Sequence, residues 1–185
     1  MAKNENVGPS QFTEQAEQIF QRKIGEVYVE YQKRLLQAGA MDFDDLLMRT
    51  AQLFREHPDV LASWRHRFGH VLVDEYQDTT PVQNDLVLQL AEEHRQVTVV
   101  GDSDQSVYAF RGADIRNILE FEEAFPDATV VVLEQNYRST QSILDAANAV
   151  IARNVGRKPK ELWSDKGSGD KIVRYHADDA SDEAQ

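Results

Sequence analysis

The sequence predicts an α/β fold in which a parallel sheet with flanking helices follows a helical N-terminal region. Two observations carry this prediction. Up to about residue 68, apolar residues recur at three- and four-residue steps, which is the period of an amphipathic helix. From residue 71 onward, short apolar runs alternate with helical patterns, an order typical of parallel strands joined by helices.

Three helices are predicted in the N-terminal region. The first runs from Gln11 to about Gln37 and carries an apolar stripe of Phe20, Ile24, Val27, Tyr28, Tyr31 and Leu35. The second follows Asp42, which has Asp45 at the spacing of a capping box. The third begins at Pro58 and ends near Gly69. We expect it to bury Leu61, Trp64 and Phe68.

Strands and helices are predicted to alternate after residue 70. The expected strands are 71–73, 97–100, 129–133 and 172–175, and the first is an apolar run typical of strands buried on both sheet faces. Thr80 and Gln83 have capping-box spacing around Pro81, so a helix should continue to about Glu93. Further helices are expected at about 114–124 and 139–153, then a glycine-containing linker at 154–170 and a helix start at 181–183.

The composition favours a soluble globular protein and speaks against strong non-specific binding to nucleic acid. The 185 residues are 41% apolar and carry a net charge of −12. Phosphate contacts depend on clustered Lys and Arg, although a groove that stacks bases on aromatic rings needs few charges. The absence of cysteine excludes disulfides and thiolate metal sites. Without a signal peptide or a membrane-spanning run, we predict a cytoplasmic protein with no membrane partner.

Two adjacent carboxylates, Asp74 and Glu75, follow the first predicted strand. They would stand at the carboxyl edge of a parallel sheet, where open α/β folds bind ligands. Hydrolysis of a nucleoside triphosphate needs one carboxylate for Mg²⁺ and another to orient or deprotonate the attacking water. A solvated strand end is the alternative, but the run Tyr76-Gln77-Asp78 that follows favours the hydrolytic interpretation.

A second polar segment, Gly101 to Gly112, follows the next predicted strand. Its Asp102 and Gln105 should lie beside the two carboxylates, because both strands end at the same sheet edge. A neutral Gln can hydrogen-bond a terminal phosphate or the water near it without adding charge.

The same segment contains an aromatic and basic group, Tyr108, Phe110 and Arg111. Bases stack on such rings at about 1 to 3 kcal/mol each, enough for a sequence-tolerant grip on a single strand. The alternative is that both rings are core residues.

A third segment, Leu133 to Thr140, spans a predicted junction between a strand and a helix. Arg138 suits a developing phosphate charge, because its planar fork is always charged and donates bidentately. The neighbouring Tyr137 could stack on a purine. Locally, Asn136 could be a turn residue and Ser139 a helix cap, and both interpretations can hold together.

In this order and spacing, the three segments resemble helicase motifs II, III and IV of the UvrD/PcrA/Rep family of superfamily 1 DNA helicases. Two further family signatures are Asp42-Phe43-Asp44-Asp45-Leu46-Leu47 and Glu161-Leu162-Trp163. The residues around the third motif look most like those of actinobacterial members of the family. The resemblance implies a partial RecA-like fold of the P-loop NTPase class. Residues 1–40 would be a helical remnant of the 1B insertion, 41–133 the C-terminal half of domain 1A, and 134–185 the start of domain 2A.

The resemblance implies a role in ATP hydrolysis for five residues. Asp74 would coordinate Mg²⁺, and Glu75 would be the catalytic base. Gln105 would couple the γ-phosphate to DNA binding. Tyr137 would stack on adenine, and Arg138 would contact the γ-phosphate from the second motor domain.

The resemblance also implies the substrate. Single-stranded DNA would stack on Tyr108 and Phe110, beside Arg111, with Phe110 standing where many family members have Trp. The parent would be an ATP-dependent 3′–5′ DNA helicase acting at duplex/single-strand junctions in DNA repair or replication, with DNA-repair proteins as candidate partners.

A phosphate-binding loop of the form G-x-x-x-x-G-K-[ST] does not occur in the sequence. The segment Gly167 to Ile172 lacks the glycine before the lysine and the hydroxyl after it. Without that loop, no backbone cradle or lysine holds the β- and γ-phosphates. We therefore expect an internal fragment of a helicase, inactive as an ATPase alone.

Two other functions are alternatives to the helicase. One is a non-catalytic module that binds single-stranded DNA or a repair partner through the Tyr108–Arg111 loop. The other is a Mg²⁺-dependent nuclease that uses Asp74, Glu75 and Asp102, although the sequence supplies neither further clustered acids nor a basic cleft.

Overall fold

The computed structural model describes residues 2–155 and 157–184, and it divides into two compact units, Met1–Ala128 and Thr129–Gln185. In the first unit the helices are α1 to α7 and the strands β1 and β2. Their bounds are α1 Pro9–Glu14, α2 Ile19–Gln37, α3 Phe43–Glu56, α4 Pro58–Arg67, β1 Val71–Val73, α5 Pro81–Ala91, β2 Val97–Val99, α6 Arg116–Leu119 and α7 Phe121–Ala124. Short 3₁₀ turns occupy Ala2–Glu5, Tyr76–Asp78, Ser103–Gln105 and Ala109–Arg111.

The first predicted helix is two helices in the structure. The chain leaves helical geometry after α1 and re-enters it at α2, whose start carries a capping box between Gln18 and Gln21. The two helices pack closely at Gly25, where a Cβ atom would stand 2.7 Å from the Thr13 hydroxyl oxygen. A glycine is therefore needed where α1 crosses α2.

The apolar stripe of α2 is exposed, and the predicted burial of two aromatic residues at the end of α4 was wrong. On α2 the helical period is present, but Phe20, Ile24, Val27 and Tyr31 are exposed. On α4, Trp64 and Phe68 are partly exposed and stack on each other, with ring centroids 5.3 Å apart. Periodicity predicts which residues share a helix face, whereas burial depends on what packs against that face.

The predicted capping box of α3 is confirmed. The Asp42 side chain accepts a hydrogen bond from the Asp45 backbone N–H at 2.9 Å, and the Asp45 side chain accepts one from the Asp42 backbone N–H at 3.4 Å. Asp45 is itself buried, and the Lys3 ammonium lies 3.0 Å from it. Behind this cap, α3 and α5 form the core cluster of Met48, Ala51 and Val82.

The parallel pairing of β1 with β2 is confirmed, with Val71 opposite Val97 and Val73 opposite Val99. The capping box of α5, from Thr80 to Gln83, is confirmed as well. Burial of β1 on both faces was a wrong prediction, because Leu72 is 74% exposed while its neighbours are half-buried. In this two-stranded sheet the described residues cover only one face of β1.

Two other predicted elements differ in the structure. The expected helix at 114–124 is divided into α6 and α7, which meet at Glu120. The expected strands at 129–133 and 172–175 do not form within the described residues, and Val131, Leu133 and Val173 are exposed there. A strand needs a neighbour to supply its backbone hydrogen bonds, and the described residues provide none at these positions.

The second unit is built on α8 Gln141–Ile151 and ends with α9 Ala180–Glu183. Helix α8 follows Thr140 rather than Ser139, so the predicted Ser139 cap was wrong. The helix start predicted at 181–183 is confirmed in α9, which Asp179 caps. In the predicted linker, Gly156 lies outside the described residues.

Tyr76 should make the stability of the first unit fall at alkaline pH. Burial raises the pKa of its hydroxyl from 10.0 to about 12. A group whose pKa is raised in the folded state adds to the free energy of unfolding, and this contribution is fully present below about pH 10. It amounts to at most about 2 to 3 kcal/mol and is lost as the pH rises through about 12. The Tyr76→Phe variant lacks this titration, so its disadvantage relative to the wild type should shrink across that window.

The measurement is urea unfolding followed by Trp64 fluorescence in a Trp163→Phe background, from about pH 9 to about pH 11.5. A difference between the two proteins that stays constant over this range would show that Tyr76 does not titrate with a raised pKa.

Candidate functional site

The two predicted carboxylates stand directly at the end of β1. Glu75 adopts the left-handed backbone conformation, with φ 50° and ψ 45°. Its N–H donates to Asp74 Oδ1 at 2.9 Å, and its carbonyl accepts from the Asp78 N–H at 2.9 Å. A non-glycine residue pays roughly 1 kcal/mol or more for this conformation, and such strain clusters at functional sites. The turn therefore holds the Glu75 side chain in a fixed direction at the sheet edge.

A buried amide, Gln77, links Glu75 to the segment that follows β2. Gln77 is 1% exposed. Its Nε2 donates to Glu75 Oε2 at 2.7 Å, and its Oε1 accepts from the Asp102 backbone N–H at 2.9 Å. The carboxyl ends of the two strands are thus joined by a side chain as well as by the sheet.

The predicted partner Gln105 continues this chain of hydrogen bonds. Gln105 Nε2 donates to Asp102 Oδ2 at 2.8 Å, and the Gln105 N–H donates to the Asp102 carbonyl at 2.9 Å. The structure therefore brings Asp74, Glu75, Asp102 and Gln105 together at one sheet edge. One continuous path runs from Glu75 through Gln77 and Asp102 to Gln105.

Backbone contacts beneath this path fix its geometry. The Tyr76 N–H donates to the Val100 carbonyl at 3.0 Å, and the Val100 N–H donates to the Val73 carbonyl at 2.8 Å. A Cβ atom at Gly101 would stand 2.6 Å from Gln77 Oε1 and 3.1 Å from the Tyr76 backbone nitrogen. Only glycine allows the second segment to approach the first this closely.

The predicted aromatic and basic group forms an exposed cluster in the first unit. Phe110 is 67% exposed and Tyr108 is 40% exposed, with their ring centroids 5.9 Å apart. The Arg111 guanidinium lies 5.2 Å from the Tyr108 ring centroid and 5.6 Å from that of Phe110. The alternative in which both rings belong to the core is wrong. We call Tyr108, Phe110 and Arg111 the aromatic cluster.

The chemistry of the carboxylate pair fits Mg²⁺. This ion takes one or two carboxylates together with waters and substrate phosphates, so Asp74 alone would be a sufficient protein ligand. Among residues 2–155 and 157–184, no group of three or more His, Cys, Asp or Glu could hold a metal. Asp102 uses one carboxylate oxygen for the Asp104 N–H and the other for Gln105, which leaves the nuclease interpretation without support for its third ligand.

Tyr137 and Arg138 belong to the second unit and are both exposed there. Asn136 Oδ1 accepts from the backbone N–H groups of Arg138 at 2.9 Å and Ser139 at 2.7 Å, so the predicted turn at Asn136 is confirmed. The Tyr137 hydroxyl donates to Gln135 Oε1 at 3.0 Å. This turn presents the tyrosine ring and the guanidinium to solvent.

The Glu161-Leu162-Trp163 signature contacts the segment that forms this turn through backbone hydrogen bonds. Gln135 and Trp163 form a parallel bridge, in which the Asn136 N–H donates to the Trp163 carbonyl at 2.7 Å. The Asn148 side chain on α8 bonds both the carbonyl and the N–H of Leu162, at 2.8 and 3.2 Å. The signature therefore has a structural role in placing the turn.

The segment Gly167 to Ile172 is not a phosphate cradle. The carbonyls of Gly167 and Ser168 accept hydrogen bonds from the first N–H groups of α8, at Gln141 and Ser142. Backbone carbonyls thus occupy the helix N-terminus at which a phosphate would need free N–H groups.

Sequence reasoning does not single out Gln77. Its side chain accepts from the Asp102 backbone N–H, 25 residues away, so no local pattern in the sequence indicates this contact.

These features define an α/β protein with two adjacent carboxylates at the end of a parallel strand and an exposed aromatic cluster in the same unit. The model of the UvrD/REP helicase N-terminal domain matches residues 1–126, and that of the UvrD-like helicase C-terminal domain matches residues 131–185. The chain therefore belongs to the UvrD/REP helicase family.

Several relatives are similar over almost the whole chain. The ATP-dependent DNA helicase PcrA of Leuconostoc citreum is 50% identical over 183 residues, and PcrA of Bacillus subtilis is 50% identical over 184. The ATP-dependent DNA helicase UvrD1 of Mycobacterium tuberculosis is also 50% identical, over 194 residues. These equal identities do not single out an actinobacterial origin. The matches cover 99 to 100% of this chain and 24 to 25% of each relative, so the chain spans about a quarter of their length.

No helix in the described part of the chain is both long enough and apolar enough to cross a membrane.

Proposed function

We propose that this chain forms part of the motor of an ATP-dependent DNA helicase that moves 3′ to 5′ on single-stranded DNA in the cytoplasm, in DNA repair or replication. One observation carries the proposal. The hydrogen-bonded path from Glu75 through Gln77 to Asp102 and Gln105 connects a strand-end carboxylate to the segment that bears the aromatic cluster. A motor needs such a connection between the group that hydrolyses ATP and the group that holds DNA.

Each residue of the site has one task in this proposal. Asp74 holds Mg²⁺, which offsets the charge of the β- and γ-phosphates when it is bound. Glu75 orients the attacking water and accepts its proton. Gln105 hydrogen-bonds the terminal phosphate or the water beside it.

Two residues of the second unit are also proposed to contact the nucleotide. Tyr137 stacks on the adenine ring, for which its exposed position leaves room. Arg138 donates to the γ-phosphate as negative charge develops there. Both groups follow the turn that Asn136 closes. This chain contains no phosphate-binding loop, so we do not expect it to turn over ATP alone.

The aromatic cluster is proposed to hold single-stranded DNA at a duplex junction. Successive bases stack on Tyr108 and Phe110, and Arg111 contributes a cation beside both rings. This grip is compatible with a net charge of −12, because it depends on ring faces more than on phosphate contacts.

A chimeric enzyme tests the proposed function. This chain would replace the matching quarter of the Bacillus subtilis ATP-dependent DNA helicase, which then supplies the rest of the enzyme. We expect the chimera to unwind a duplex with a 3′ single-stranded tail in the presence of ATP and Mg²⁺, and to leave a duplex with a 5′ tail intact. A folded chimera that binds DNA and ATP but unwinds neither duplex would refute the proposal.

Replacement of Phe110 by Ala should weaken the binding of a single-stranded oligonucleotide to this chain by about five- to a hundredfold, because one stacked base is lost. The measurement is fluorescence anisotropy with a labelled oligodeoxythymidylate. Phe43→Ala is the matched control, since Phe43 is 90% exposed on α3 in the same unit. Equal losses in the two variants would show that the aromatic cluster is not the DNA site.

The second candidate is a non-catalytic module that binds single-stranded DNA or a repair partner. The exposed aromatic cluster in a chain without a phosphate-binding loop favours it. It is distinguished by the chimera, which under this alternative would bind DNA with an affinity independent of nucleotide and would not unwind.

A further inference from the structure

The Gln77 side chain bonds both to the Glu75 carboxylate and to the segment leading to the aromatic cluster. We propose that Gln77 is a positioning residue that sets the direction of the Glu75 carboxylate and transmits to it changes in the Asp102–Arg111 segment caused by DNA. This inference rests on the proposed function, since it assigns a coupling role within the same site.

An amide is required at this position. The Asp102 backbone N–H can only donate, so the Gln77 oxygen must face it, and the Gln77 NH₂ group then faces Glu75. An ionised Glu75 can only accept, so it independently requires the same orientation. Two partners of opposite hydrogen-bonding character therefore fix one amide, and neither Glu nor Met could serve both.

The surroundings leave Gln77 little freedom to move. It is 1% exposed, and its Oε1 lies 2.6 Å from the position that a Cβ atom at Gly101 would occupy. The Ser106 hydroxyl donates to the Gln77 backbone carbonyl at 3.4 Å. Side chain and backbone are thus both tied to the segment after β2. A displacement of that segment must move the amide, because the close packing leaves no room for the two to move independently.

The aromatic cluster begins two residues beyond Ser106. Bases stacked on Tyr108 and Phe110 would displace the same short segment that Gln77 contacts at Asp102 and Ser106. The path from the DNA to Glu75 then consists of two hydrogen bonds of the Gln77 amide, one with the Asp102 N–H and one with the Glu75 carboxylate. Gln105 lies on a branch of this path through the Asp102 carboxylate.

Three variants of the full chain distinguish the contribution of the Gln77 oxygen from that of the Gln77 NH₂ group. Gln77→Met is close in size and removes both hydrogen bonds. Gln77→Glu retains an acceptor for the Asp102 N–H and, in its ionised form, cannot donate to Glu75. Gln83→Glu adds the same charge in the same unit, at a capping position where Glu serves as well as Gln.

The first measurement uses no DNA. Amide hydrogen exchange at Asp102 should be about five- to tenfold faster in Gln77→Met than in the wild type. It should stay within about twofold of the wild type in Gln77→Glu and Gln83→Glu. The side-chain carboxyl ¹³C resonance of Glu75 should move in both Gln77 variants and not in Gln83→Glu. Unchanged exchange and an unchanged resonance in Gln77→Met would overturn the positioning role.

The second measurement adds an oligodeoxythymidylate of about ten nucleotides. In the wild type and Gln83→Glu, binding should shift the Glu75 carboxyl resonance. In Gln77→Met and Gln77→Glu that response should be lost while the DNA affinity stays within about twofold. A purely structural residue would alter affinity or unfold the unit without selectively removing this response. A Glu75 response that persists in Gln77→Met would overturn the coupling role.

Failure of the proposed function would give a different result. A wild-type chain that binds no oligonucleotide would refute both the DNA site and the coupling that depends on it. The DNA-free measurement would still decide whether Gln77 positions Glu75.

Discussion

Replacement of Glu75 by Gln is expected to lower the DNA-stimulated ATP turnover of the chimera by about 10²- to 10⁴-fold, the usual contribution of a general base. The substitution keeps the size of the side chain and an oxygen that can accept from Gln77, so the hydrogen-bonded path should survive. What is lost is the ability to take a proton from the attacking water. The defect should therefore appear in kcat, with little change in KM.

The measurement is steady-state ATP turnover at saturating single-stranded DNA. Glu56→Gln is the matched control, since Glu56 is an exposed acid at the end of α3 in the same unit. It should leave turnover within about twofold. If Glu75→Gln retained more than about a tenth of the turnover, Glu75 could not be the catalytic base.

The largest effect on stability is expected at Tyr76. This side chain is fully buried, its hydroxyl donates to Asn84 Oδ1, and its ring packs edge-to-face on Phe121 with centroids 5.6 Å apart. Tyr76→Ala should lower the free energy of unfolding of the first unit by about 3 to 5 kcal/mol, as expected for the removal of a large buried aromatic.

Tyr76→Phe separates the hydroxyl from the ring. It should cost only about 1 to 3 kcal/mol, because the cavity is avoided and only the Asn84 acceptor loses its partner. Urea unfolding at neutral pH, followed by Trp64 fluorescence in the Trp163→Phe background, measures both variants. Equal losses in the two would show that ring packing contributes nothing, contrary to the geometry.

Local signals in the sequence were sufficient for the starts of α3, α4 and α5 and for the first two strands. The capping boxes at Asp42 and Thr80 form as predicted, because they need only residues three positions apart. Val71–Val73 and Val97–Val99 pair in parallel as predicted. In both cases the pattern alone carries the physical cause.

Predictions that depended on distant partners were less successful. Phe20 and Val27 lie on one face of α2, but no described element covers that face, so they are exposed. The run Val130 to Leu133 is apolar enough for a strand, yet it has no described neighbour with which to pair. Hydrophobic pattern shows where burial is possible and does not supply the partner.

In the candidate site, too, the sequence pattern was sufficient for some features, whereas a contact between distant residues was not predicted. The order of strand, carboxylates, strand and polar segment was sufficient to predict that Asp74, Glu75, Asp102 and Gln105 share a sheet edge. The role of Gln77 could not be predicted, because it depends on a contact with a backbone N–H 25 residues away. That contact exists only once Gly101 has brought the two segments together.

ATP turnover by the chimera with and without single-stranded DNA shows whether the carboxylate pair responds to DNA. We expect turnover that rises several-fold on addition of an oligodeoxythymidylate, with this rise lost in Phe110→Ala and retained in Phe43→Ala. Turnover that is the same with and without DNA, in a chimera that binds both ATP and DNA, would contradict the claim that the carboxylate pair and the aromatic cluster of this chain form one coupled site.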